Sequence, residues 1–158
     1  MLENSEVTWF PSYGAEMRGG TANCSVVISD ELIGSPIITN PDILIIMNDA
    51  SLEKFQPRLK PKGLLIFDSS LVNDPELRSD IEIVKVPATE ISRNLGNTRS
   101  ANMVMLGSFI AKTKLLKETS ASKALEDSMY RGRSNIEMNK KAIREGIRFF
   151  ENKKGKDN

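Results

Sequence analysis

The densest set of chemically capable side chains lies near the chain start, in Tyr13–Thr21, which reads YGAEMRGGT. It is the centre of a longer irregular stretch, Trp9–Cys24, with the sequence WFPSYGAEMRGGTANC. Gly14, Gly19 and Gly20 permit positive φ and close backbone approach, which loops that hold phosphate or shape active sites require. Arg18 brings a forked cation suited to phosphate or carboxylate. Tyr13 and Trp9 add flat surfaces. The same residues also read as a glycine-rich connector in which Arg18 pairs with Glu16 and the aromatics fill an edge of the core. RGG has neither Walker nor dinucleotide spacing, so both readings stand. A second set follows the apolar run Ile43–Met47, where Asn48 and Asp49 stand at the carboxyl end of an expected strand. Open parallel sheets gather ligands there, although both residue types are also common in turns and caps. Asp68, Ser69 and Ser70 repeat the arrangement after Leu64–Phe67. Cys24 reads as a small buried hydrophobe within a strand.

Two absences narrow the chemistry. The 158 residues contain no histidine and one cysteine. That removes the commonest general base, the histidine-dependent triads and most zinc sites. It also removes any disulfide framework and any iron–sulfur cluster ligated by this chain alone. A formal net charge of +1 gives no global attraction to nucleic acid. The basic clusters are local, at Arg58–Lys62 and in the tail ENKKGKDN. No apolar run approaches the ~20 residues that span a bilayer, and the opening MLENSEVT lacks the features of a signal peptide. A cytoplasmic protein is the expectation, with no nucleic-acid or membrane partner.

The elements that must position these residues form an α/β pattern. The run EVTWF, ended by Pro11, and TANCSVVIS read as strands flanking the loop. Ile43–Met47 and Leu64–Phe67 are continuously apolar, as strands buried on both faces are. Between them, LEKFQPRL reads as a short helix capped by Ser51. Two such strands joined by a helix imply a right-handed βαβ unit and a parallel sheet. IEIVKVPA, from Ile81, alternates as a more exposed strand does, and ATEISRNL forms a short helix closed by Gly96. Three further helices follow, around ANMVMLGSFIAKTKLL, SASKALEDSMYR and SNIEMNKKAIREGIRFF; Gly107 allows close packing in the first of them. The expectation is one domain over residues 1–150, with a helical C-terminal third, and a disordered basic tail over 151–158.

Taken together, VTWFPSYGAEMRGGTANCSVVIS, PDILIIMNDASLEKFQPRLKPKGLLIFDSSL and VPATEISRNLGNTRSANMVMLGSF closely resemble the gamma subunit of 2-oxoacid:ferredoxin oxidoreductases, most strongly the 2-oxoglutarate type. The resemblance runs from residue 6 to about residue 110, and the last two helices fit it more loosely. It implies a mostly parallel sheet flanked by helices in a Rossmann-like three-layer arrangement. The activity it implies is oxidative decarboxylation of a 2-oxoacid, transfer of the acyl group to coenzyme A and reduction of ferredoxin. By the same resemblance, thiamine diphosphate is held by alpha and beta subunits, and the iron–sulfur clusters lie in the beta or delta subunit or their fused equivalents. The resemblance implies that this chain alone binds none of these cofactors and is inactive without its partners. The chain packs near the active site and helps to close over coenzyme A. Arg18 then contacts a phosphate or the substrate carboxylate, Tyr13, Gly14, Glu16, Gly19, Gly20 and Thr21 shape the loop, and Asn48 lies on the ligand edge.

Gamma subunits of this kind carry a strand, a glycine-rich turn and a helix ahead of the VTWFPSYG motif, and here only MLENSE stands there. The expectation is a sheet with open edges that a partner or a homodimer covers. The alternative function is a non-catalytic assembly or binding module derived from such a subunit. A free-standing nucleotide-binding protein is a third reading, disfavoured by the neutral charge and the missing phosphate-loop spacing.

Overall fold

The structure is a computed structural model that describes residues 3–12, 22–73, 75–128 and 133–154. Glu6–Ser12 (β1) and Asn23–Ser29 (β2) pair antiparallel as a two-stranded ribbon, in register from Glu6↔Ser29 to Ser12↔Asn23. Ile43–Ile46 (β3), Leu64–Asp68 (β4) and Glu82–Val86 (β5) form a separate parallel sheet in the order β3–β4–β5. Helix α1, Asp49–Phe55, joins β3 to β4. After β5 come α2 (Ala88–Asn94), α3 (Ala101–Thr113), α4 (Glu118–Ser128) and α5 (Arg133–Lys154).

The middle strand sets the layers. Every residue of β4 is buried, and successive side chains go to opposite faces. Leu64 and Ile66 join Val84, Val86, Val104 and Met105 in one apolar cluster beneath α2, α3 and α5. Leu65 and Phe67 join Ile46, Leu52, Leu59 and Val72 in the other, on the α1 side. The result is the expected α/β fold with helices on both faces and a helical C-terminal third. β5 alternates as its sequence requires. β3 departs from the expectation of burial on both faces, because Ile45 is 42% exposed. It is an outer strand of the three, paired on one side only among the described residues.

Backbone contact seals the larger cluster. A Cβ on Gly107 of α3 would lie 2.0 Å from the Ile143 carbonyl oxygen, and one on Gly146 of α5 would lie 2.1 Å from that of Val104. Each glycine admits the other helix's backbone, and the Ser108 hydroxyl donates to the Gly146 carbonyl at 3.1 Å.

Several boundaries differ from the sequence reading. Pro11 does not end β1 but sits within it, opposite Cys24; a two-stranded ribbon has outward-facing positions where a missing N–H costs no ladder bond. Cys24 lies in a strand as expected, yet it is exposed rather than buried. Helix α1 begins at Asp49, two residues before Ser51, and is capped by Asn48, as described below. Helix α5 continues to Lys154, since residues 151–154 contain neither glycine nor proline, so that part of the expected tail is helical. Residues 155–158 lie outside the described residues.

Candidate functional site

The ribbon sets the base of the glycine-rich loop. Ser12 and Asn23 are the last pair of the ladder, so the two ends of the connecting segment stand side by side. Tyr13, Gly14, Glu16, Arg18, Gly19, Gly20 and Thr21 themselves lie outside the described residues. Asn48 is placed two residues beyond the end of β3 at the carboxyl end of the sheet, where Asp49, Asp68, Ser69 and Ser70 are described as well.

At that edge the strand ends are tied to the helices that follow them. Asn48 caps α1, its Oδ1 accepting from the Ser51 N–H at 2.9 Å. Ser51 is therefore the residue that satisfies the cap rather than the cap itself. Asp49, in the first turn of α1, accepts from the Asn73 N–H at 3.3 Å and so reaches across to the segment after β4. Asp68 ends β4 and is completely buried. Its carboxylate accepts from the Ser70 N–H at 3.0 Å, the Thr89 N–H at 3.1 Å and the Thr89 hydroxyl at 2.6 Å. The Ser70 hydroxyl in turn accepts from the Glu90 N–H at 3.2 Å. Thus α1 and α2 both start with their backbone donors engaged by side chains from the strand ends.

The sequence marks the Asp68–Ser70 segment but not its partner Thr89. The available signal was Pro87-Ala88-Thr89-Glu90, a proline and an acidic residue bracketing a helix start.

The electrostatics of this edge are acidic. A groove of about 600 Å³ beside it is lined by residues that include Asp49, Glu53, Gln56, Asn73, Glu76 and Arg78. Its cation is already committed: Arg78 donates to the Gln56 and Leu59 carbonyls at 3.2 and 2.6 Å and to both Asp80 carboxylate oxygens. Hydrogen bonding from Arg78 holds the Asp80 carboxyl below its ordinary range, and Asp80 raises Arg78 in return.

Among the described residues, no group of three metal-ligating side chains comes together, and no helix is long and apolar enough to cross a membrane.

Comparison with known proteins places this geometry. Over 134 residues the chain is 34% identical to the 2-oxoglutarate synthase subunit KorC of Methanocaldococcus jannaschii, covering 84% of this chain and 72% of that one. It is 35% identical over 148 residues to the ketoisovalerate oxidoreductase subunit VorA of Methanothermobacter thermautotrophicus, covering 93% of this chain but 31% of VorA. The chain therefore spans under a third of that longer relative.

Among solved structures, the gamma subunit of a keto/oxoacid ferredoxin oxidoreductase from Geobacter sulfurreducens superposes with a TM-score of 0.77 at 27% identity, over 94% of this chain and 82% of that one. The 2-oxoglutarate:ferredoxin oxidoreductase of Magnetococcus marinus, whose structure holds 2-oxoglutarate, coenzyme A and succinyl-CoA, shares the fold. There the TM-score is 0.83 at 22% identity, over 94% of this chain and 26% of that one. The model of one family, pyruvate ferredoxin/flavodoxin oxidoreductase, matches residues 1–149, and to that family this chain belongs.

Proposed function

We propose that the chain acts as the gamma subunit of a 2-oxoacid:ferredoxin oxidoreductase, with 2-oxoglutarate as the 2-oxoacid. Its alpha and beta partners, with a delta subunit where one is present, carry the thiamine diphosphate and the iron–sulfur clusters, and the assembled complex reduces ferredoxin in the cytoplasm. The likeness to KorC carries this reading, because it extends over most of both chains. By contrast, the match to VorA, whose name points to a branched-chain 2-oxoacid, takes in a minor part of that protein.

Within the complex, the segment Tyr13–Thr21 closes over coenzyme A, and Arg18 binds a phosphate or carboxylate. Two features support that placement. The loop is anchored at its base by the Ser12↔Asn23 pair. The carboxyl edge of the sheet, with its donors internally engaged and its groove acidic, has little to offer an anion.

The test is reconstitution of the full chain with its partner subunits, followed by coenzyme A-dependent ferredoxin reduction with 2-oxoglutarate and with ketoisovalerate. Turnover with 2-oxoglutarate is expected, together with a Michaelis constant for coenzyme A raised about tenfold in Arg18→Ala, the loss of one charge-assisted hydrogen bond. Preference for ketoisovalerate overturns the substrate. A stable complex without turnover makes the chain an assembly module.

A further inference from the structure

Asp68 is an unusual residue to bury. It has no accessible surface, and no lysine or arginine pairs with it among the described residues. Removing an ionised carboxylate from water is costly unless hydrogen bonds replace the lost hydration. Here three donors do so: Ser70 N–H, Thr89 N–H and Thr89 Oγ1–H, from two separate segments converging on one carboxylate. Such a convergence of donors at the carboxyl end of a parallel strand is the arrangement that holds a ligand's anionic group in other open α/β sheets. In this chain the anion is supplied from within, at the last residue of β4.

We infer that Asp68 is an internal stand-in for a bound anion, whose carboxylate fills this donor cluster and thereby closes the carboxyl edge of the sheet to anionic ligands. Its neighbours act in the same sense. Asp49 and Glu90 occupy the first turns of α1 and α2. The adjoining groove adds Glu53 and Glu76, while Arg78 is held by Asp80 and two carbonyls. Asp68 is thus a specificity-determining residue by exclusion.

The test uses the full chain and needs no turnover, so its failure is separate from failure of the proposed activity. Asp68→Ala removes the internal anion and leaves the three donors facing a small cavity. Thermal unfolding is followed in sodium formate and in inorganic phosphate, against sodium chloride of equal ionic strength. The expected result is a saturable rise in the melting temperature of Asp68→Ala with formate, reaching about 4 °C at ten times the half-saturating concentration. The wild-type chain and Asp68→Asn, in which the space stays filled, show no such rise. Adding Thr89→Val to Asp68→Ala removes one donor and raises the half-saturating formate concentration about tenfold. Equal responses in wild type and Asp68→Ala, or a folded Asp68→Ala indifferent to both anions, overturn the inference. If Asp68→Ala folds only when formate is present, the inference is upheld. Should it stay insoluble in both, the smaller truncation Asp68→Ser takes its place, and the same anion dependence is required of it.

Discussion

The ribbon and the sheet body use apolar residues in opposite ways. Along β4 all five residues are buried, with α3 and α5 locked backbone to backbone above one face. In the ribbon no residue of β1 or β2 is fully buried, and Trp9 is 61% exposed, with Val26 directly opposite it at 48%. Both regions contain β-branched and aromatic residues, but the apolar run of β4 is unbroken from Leu64 to Phe67 whereas β1 and β2 are interspersed with polar residues. Their neighbours differ as well. β4 has a strand on either side and a helical layer on each face, whereas among the described residues β1 and β2 pair only with each other. A two-stranded ribbon is marginal by itself. The contrast shows that an apolar strand is stabilised by what is packed around it more than by its own residues.

Substitutions in the body test this most severely. Phe67→Ala empties a fully buried site and is expected to cost about 4 kcal/mol in urea unfolding. Gly107→Ala adds a single methyl where the Ile143 carbonyl already stands, and is expected to cost about 3 kcal/mol; a loss under about 1 kcal/mol would mean that α3 and α5 separate easily. Asn48→Ala removes the α1 cap at a cost of about 1 kcal/mol, while Asn48→Asp keeps it. Trp9→Ala in the ribbon is expected to change stability by less than about 0.5 kcal/mol, despite being the larger truncation. Amide exchange sharpens the same contrast, with β4 protected to the global limit and β1 exchanging through local opening.

The smallest effect is one of pH. The folded pKa of Asp80 is lowered by its hydrogen bond from Arg78, so its contribution is present above the ordinary carboxylate range and fades as pH falls through the lowered value. The stability difference between wild type and Asp80→Asn should therefore shrink in acid, when measured by unfolding across that range.

Much of this body was legible in the sequence. Leu64–Phe67 reads as a buried strand and is one, because only a strand covered on both faces tolerates an unbroken apolar run in so short a segment. Ile43–Met47 carries the same signal but lies at an edge, and no pattern within five residues reports how many neighbours a strand will have. The α1 boundary shifted for a related reason. Asn48 and Ser51 are both cap-forming and stand one turn apart, so one accepts what the other's backbone donates. Gly107 was visible as a site of close packing, but Gly146 was not, since its meaning depends on a helix more than thirty residues distant in the chain. Asp68 reads as a turn residue until Thr89 is placed beside it.

The contact of α5 with α3 also bears on how the chain matures. The strands follow one another in space in the order in which they leave the ribosome. The cluster over Leu64, Ile66, Val84 and Val86, however, is completed by Ala142 and Phe150 of the final helix. During synthesis, that face of the sheet is therefore built early and covered last. Its covering begins with α2 and α3 and is incomplete until Phe150, some sixty residues after Val86, has been added. The nascent chain is most exposed to self-association and to chaperones in that interval. Closure then brings Gly107 against the Ile143 carbonyl and Gly146 against the Val104 carbonyl.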